Sequence, residues 1–193
     1  MDKNLLRGGV ELILEGLIGE NWKDDPNFTE TPERVVRAYA EIFSGYEEKN
    51  LGTFFEKAFP AKGYQSMIFC SGIRVYSMCP HHLLPVTYEM AIGYIPSEAG
   101  KVIGASKLPR LAEHLAARAI VQEEFTDELA NAIEKYLAPA GIAIVCSGQH
   151  LCMSMRGVKQ RNTTFETSEM RGSFRDHIST RNEFFSLLAN SKG

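Results

Sequence analysis

Two short stretches, Cys79-Pro80-His81-His82 and His150-Leu151-Cys152, each set a cysteine beside a histidine, and they constrain this chain more than any other feature. Together they supply soft and borderline ligands for one zinc ion, with basic groups left over. Zinc that closes a fold takes four protein ligands, whereas zinc that does chemistry takes three and keeps a position for water. The ligand count therefore separates a scaffold from a catalyst. Cys79 and His82 alone are weak evidence, because cysteine is among the most buried residue types. Cys152 adds a third ligand and leaves His81 and His150 beside the metal. Cys70 and Cys146 lie inside apolar runs and read as core.

A bound zinc lowers the pKa of its water to about 7. Histidine titrates in the same range and passes protons to a leaving nitrogen. A hydrolase is the natural outcome of that pairing. Ser106, Lys107 and Arg110 fall at a predicted helix start, and Arg156 follows Cys152 closely, which makes an anion clamp from free helix N–H groups and cationic side chains. Taken singly, each of those basic residues reads as solvated surface. Gln122 and Glu123 open another helix, where the acid either complements the dipole or pairs with the N–H edge of a purine.

At 193 residues the chain has the length of one ordinary domain with an extension, and its apolar content suffices for a core. Formal net charge is −3 with no block of like charges, so the footprint of a nucleic-acid binder is missing. No secretory signal opens the sequence, and no apolar run approaches the roughly 20 residues that span a bilayer. The expectation is a cytoplasmic protein without nucleic-acid or membrane partners, whose four cysteines are core, ligands or reactive thiols rather than disulfides. P-loop, dinucleotide-fingerprint, zinc-deaminase and nucleophile-elbow motifs are all absent.

Residues 4–20 and 31–43 carry apolar residues at helical spacing, the second run opened by Thr31 as cap and Pro32 at the first helical position. From about residue 65 the period changes to that of strands, through Ile73 and Val75 and then Val86, Tyr88, Met90, Ile92 and Tyr94, with Cys79 to His82 in the link. Ser106 is expected to cap a helix reaching Arg118, and Thr126 another reaching Leu137. Gly141 to Val145 returns to strand, the segments 152–158 and 163–170 are expected to pair after it, and Thr180 to Glu183 has capping-box spacing before a last helix. The class is α+β with an antiparallel sheet. The division expected is a helical segment over 1–60 and a catalytic domain over 61–193.

The chain closely resembles GTP cyclohydrolase I. The resemblance is carried by Thr31-Pro32-Glu33-Arg34-Val35, Ile42-Phe43-Ser44-Gly45, Cys79-x-His81-His82, Gly104-x-Ser106-Lys107-x-x-Arg110, Val121-Gln122-Glu123, His150-x-Cys152-Met153-x-Met155-Arg156-Gly157 and Thr180-Arg181-x-Glu183-Phe184. It implies a tunnelling fold, an antiparallel sheet with helices packed on one face, assembled into a ring-based homodecamer with active sites at subunit boundaries. It also implies opening of the guanine imidazole ring of GTP, release of C8 as formate and closure to 7,8-dihydroneopterin triphosphate. Cys79, His82 and Cys152 match the zinc ligands, and His81 and His150 the histidines that act on the ring. Gln122 and Glu123 match the base-recognition segment, with Glu123 expected as a buried carboxylate on the guanine N1 and N2 donors. Lys107, Arg110 and Arg156 match triphosphate contacts, with Ser106 in the same pocket.

Three positions depart from the family's usual pattern. Pro80 stands where glutamate is common, Ile120 where glutamine is usual, and Glu124 where a basic residue follows the recognition acid. Two rival readings accompany the leading one. Another tunnelling-fold enzyme acting on a pterin or deazapurine would lack the joint zinc and triphosphate clusters. A binding scaffold with structural zinc would need a fourth ligand, from His81 or His150.

Overall fold

The computed structural model describes residues 1–191. The chain divides into two compact units, Met1–Glu48 and a second beginning at Lys49. Residues 49–60, read from sequence as part of the helical segment, belong to the second unit, where Phe54 and Phe55 enter the core.

In the first unit, α1 (Lys3–Ile18) starts at Asp2, whose carboxylate accepts from the N–H groups of Asn4 and Leu5 at 3.0 Å each. That bond satisfies two of the orphan donors of the first turn. Val10 and Leu14, one turn apart, pack with Trp22, Phe28 and Val35. Trp22 lies buried in a 3-10 turn, Glu20–Asp24, between the two helices. The second helix, α2 (Thr31–Ile42), begins one residue before Pro32. Gly45 sits in a following 3-10 turn, Ser44–Tyr46.

The second unit is built on a four-stranded antiparallel sheet, in the order β2-β3-β5-β6, with β2 (Ile68–Met78), β3 (Pro85–Ile95), β5 (Gly141–His150) and β6 (Phe165–Gly172). The short strands β1 (Phe59–Pro60) and β4 (Lys101–Val102) pair with each other. Between β3 and β5 run α3 (Lys107–Ala116) and α4 (Gln122–Leu137). Three further helices follow: α5 (Leu151–Ser154), α6 (Ser173–Asp176) and α7 (Ile178–Asn190).

The period of two along β3 decides how these layers stack. Val86, Tyr88, Met90, Ile92 and Tyr94 all point to one face and are almost wholly buried against Leu108, Leu111, Phe125, Leu129 and Ile133 of α3 and α4. Each of the aliphatic and Phe side chains and Met90 contributes about 1.5–3 kcal/mol when fully buried. The alternate residues Ala91 and Gly93, with Ala143, are small and admit Phe174 and Phe184 on the opposite face. Helices α3 and α4 thus take one face as expected, while Phe174 of α6 and Phe184 of α7 cover part of the other. Charged residues share that second face, among them Arg74 paired with Glu89 at 3.0 Å.

Of three expected caps, one holds its position and two lie inside helices. Ser106 stands at the N-cap of α3 but makes no side-chain capping bond, and the helix ends at Ala116. Thr126 lies inside α4, where its hydroxyl donates to the Gln122 carbonyl one turn back at 2.8 Å. Thr180 likewise lies inside α7, which starts at Ile178. A threonine can cap a helix or sit in its second turn, and local sequence does not separate the two.

Candidate metal centre and its surroundings

The ligand loop begins where β2 ends. Cys79 N–H donates to the Leu84 carbonyl and Leu83 N–H to the Cys79 carbonyl, both at 2.9 Å, which closes residues 79–84 into a tight turn between β2 and β3. Leu83 takes a left-handed backbone, φ 50°. Such a conformation costs a non-glycine residue roughly 1–2 kcal/mol. The fold tolerates it where the loop must present side chains.

The other half of the site comes from β5. Its ladder with β3 sets His150 directly opposite Val86 and Gly148 opposite Tyr88. Beyond His150 no partner continues on β3, and the chain turns into α5. Cys152 therefore lies in a helical turn, which corrects the expectation of a strand over 152–158. The turn swings the thiol back toward Cys79.

Cys79, His82 and Cys152 bring one donor atom each within 4.8 Å of one another. Cys79 is buried, Cys152 half-buried and His82 exposed. The Cys79 Sγ to His82 Nδ1 distance is 3.7 Å. Zn–S and Zn–N bonds of about 2.3 and 2.05 Å at a tetrahedral angle imply an edge of about 3.6 Å between those atoms. The donors fit a metal ion of that kind. His81 Nδ1 also lies 3.7 Å from the Cys79 sulfur, yet His81 is outside the group whose donors converge. Arg156 donates from Nη1 to His82 Nε2 at 3.2 Å. Burial, reinforced by the Cys79 sulfur, raises the Cys152 thiol above its ordinary range, while Arg156 opposes the shift.

His150 sits at the end of β5 with its Nε2 3.0 Å from Oε1 of Gln122. Burial lowers its pKa from the ordinary imidazole range, and the Glu123 carboxylate pulls the other way. The rings of Tyr88 and Phe165 flank it at 6.2 and 5.9 Å between centroids, both edge to face. Sequence reasoning passed over these two aromatics, along with Gly148. Tyr88 falls on the inward alternation of β3, but nothing local marks which β5 residue it will oppose.

Gln122 is 1% exposed. Glu123 beside it is exposed, which corrects the expectation of a buried carboxylate. Residue 122 faces β5 and β6 from the first turn of α4, and residue 123, about 100° further round the helix, turns away. The link between α3 and α4 is pinned to the end of β2, where Met78 N–H donates to the Arg118 carbonyl at 3.3 Å and Ile120 N–H to the Met78 carbonyl at 3.2 Å. That tie sets the start of α4 beside the cysteine loop. Ser106 and Lys107 mark the start of α3, with Arg110 one turn on. Cys146 is fully buried and its thiol is pushed up to about 12, while Cys70 packs at the edge of the core.

The GTP cyclohydrolase I family model matches residues 7–189. The chain belongs to the GTP cyclohydrolase I family. A "GTP cyclohydrolase 1" of Neurospora crassa is 44% identical over 183 residues, which is 95% of this chain and 57% of that protein. One from Corynebacterium glutamicum strain R is 43% identical over 171 residues, covering 89% of this chain and 86% of its own. A third, from Thermoanaerobacter pseudethanolicus, is 39% identical and matches 100% of both chains. Among solved structures, the archaeosine synthase QueF-Like in the apo form overlays 56% of this chain and 94% of its own, at 16% identity and TM-score 0.40. The Cys-His-Cys cluster lies within the matched range, and its three donor atoms converge in space. Among the described residues no helix is long and apolar enough to cross a membrane.

Proposed function

We propose that this chain is a zinc-dependent GTP cyclohydrolase I, opening the imidazole ring of GTP, releasing C8 as formate and yielding 7,8-dihydroneopterin triphosphate. The observation that carries the reading is the convergence of Cys79, His82 and Cys152 within 4.8 Å, in a chain of this family, with His81 outside the converging set. Three ligands characterise a catalytic rather than a closed site. Zinc held there supplies Lewis acidity and a bound water acidic enough to ionise near neutrality.

The chain's own residues then divide the work. His150 gives a proton to the imidazole nitrogen as the ring opens. Burial lowers its pKa and the Glu123 carboxylate opposes the shift, so the imidazolium releases its proton more readily than a free imidazolium does. His81, exposed beside the Cys79 sulfur, shuttles protons in later steps. Glu123 accepts from N1 and N2 of guanine, and an adenine would leave that carboxylate unpaired. Ser106 and Lys107 at the α3 start, with Arg110 and Arg156, hold the triphosphate through N–H groups and charge-assisted bonds.

Assembly into a homodecamer with sites at subunit boundaries fits three features of the single chain. Strands β2 and β6 are the outer strands of the sheet, each hydrogen-bonded along one side. Leu5, Leu12, Leu17 and Ile13 of α1 are exposed apolar residues. Glu123 is open to solvent where a base-reading carboxylate needs cover. A cytoplasmic location accords with four free cysteines.

Incubating the zinc-loaded protein with GTP tests the proposal. Formate and a pterin that fluoresces after oxidation are expected in equal amounts. Intact GTP after prolonged incubation, or a cobalt-substituted site with no exchangeable water, would overturn it.

A further inference from the structure

We propose that Gln122 is a positioning residue for His150 and that it presents the Nδ1 side of that imidazole to the reacting base. The inference rests on the reading of His150 as the proton donor in ring opening.

Two main-chain oxygens decide how the Gln122 amide is turned. Its Nε2 donates to the carbonyl of Cys146 at 2.9 Å and to that of Phe165 at 2.8 Å, with Thr167 Oγ1 at 3.1 Å. A carbonyl oxygen only accepts, so the amide atom facing both is nitrogen, and Oε1 points the other way. Oε1 then lies 3.0 Å from Nε2 of His150. An amide oxygen has no proton to give, so the histidine donates and Nε2 carries the hydrogen. In the neutral ring the lone pair is left on Nδ1, so that nitrogen first takes up a proton from solvent, giving the imidazolium, and then passes the same proton to the substrate.

The surroundings hold this arrangement. Tyr88 and Phe165 bracket the ring edge to face. Position 148 has no side chain, and a Cβ there would stand 2.0 Å from Oε1 of Gln122 and 3.0 Å from Nε2 of His150. Gln122 is 1% exposed with both ends of its amide engaged, so its side chain is spent on the histidine and on two strands. Neighbouring Glu123 remains open for the base.

Solid-state 15N NMR of zinc-loaded, histidine-labelled protein at a pH where the ring is neutral reads the tautomer directly, with His150→Asn assigning the signal. The expected spectrum shows a protonated Nε2 and a bare Nδ1; the reverse pattern would overturn the inference without any variant having to fold. Gln122→Met keeps length and volume but loses both halves of the amide. Its kcat is expected to fall roughly 100-fold, the usual cost of misplacing a reacting group by about an ångström, with KM for GTP little changed and both tautomers visible. A raised KM at unchanged kcat would instead make Gln122 a direct substrate contact and refute the positioning role. Failure of the unsubstituted protein to release formate would bring down the proposed function, whereas a wrong tautomer would bring down this assignment alone.

Discussion

Arg156 Nη1 and His82 Nε2 meet at 3.2 Å although 74 residues separate them in sequence. The guanidinium proposed above to hold phosphate thus stands against an imidazole that converges with two thiols. The contact links the anion end of the proposed site to the metal end without any intervening side chain.

Arg156→Ala is expected to raise KM for GTP about 10- to 100-fold, since hydrogen bonds to charged groups are worth about 1.5–3 kcal/mol. Zinc content, measured by atomic absorption, is expected to stay at one ion per chain, because the three donors are unchanged. Arg156→Lys should recover only part of the loss, as a point charge lacks the guanidinium fork.

Cys152→Ala removes one of three converging donors. The variant is expected to lose zinc during dialysis and with it all formate release. His150→Ala, by contrast, is expected to keep its zinc while losing pterin formation. Retention of stoichiometric metal by Cys152→Ala would refute the ligand assignment.

His150 also predicts a pH effect on stability. Its folded pKa lies below the ordinary 6.5 because burial disfavours the charged ring. The unfolded chain therefore binds more protons in the window beneath 6.5, and stability falls as pH drops from there through the folded pKa. Denaturant midpoints measured from pH 7.5 down to 5 should show that acid slope, and His150→Asn should flatten it.

Arg171, whose side chain is 14% exposed, donates to Asp127 at 2.6 Å, to Glu134 and Asn131 at 2.7 Å, and to Glu169 at 3.2 Å. It ties β6 to α4 across their contact. Arg171→Ala should destabilise the fold by about 1–3 kcal/mol, less than a fully buried pair because Asp127 and Glu134 remain more than half exposed. Urea denaturation checks it; an unchanged midpoint would show the network to be ornamental.

Gly93 faces Phe184 so closely that a Cβ would stand 2.8 Å from the ring. Gly93→Ala should push the middle of α7 off the sheet at a cost of about 1–3 kcal/mol, typical of overpacking. A Phe184→Leu change in the same chain is expected to restore part of that loss.

How much of this was legible before any coordinates depended on whether a signal was local. Cys79 and His82 sit three residues apart, and the period-two run from Val86 to Tyr94 announces a half-buried strand, so ligand loop and sheet could both be read directly. Thr126 and Thr180 were mistaken for caps because a hydroxyl bonds equally well to an N–H ahead or a carbonyl one turn behind. Cys152 was placed on a strand because the end of the β3 ladder opposite His150 is a property of pairing, absent from the residues after it. Glu123 was expected to be buried from its role, yet a single chain offers it no wall. The turning of Gln122 toward His150 needs the Cys146 and Phe165 carbonyls, which lie 24 and 43 residues away.

The sheet order puts β3 between β2 and β5, while the candidate donors come from the turn after β2 and the turn after β5. An ion gripped there would act as a clasp over the end of the intervening strand, fastening to each other two turns that lie beyond the hydrogen-bond ladder. Chelation should then do more than silence the chemistry: the rim of the sheet would fray first on heating, and amide exchange would quicken at Cys79 to Leu84 and His150 to Ser154 before it did anywhere in the helical layer.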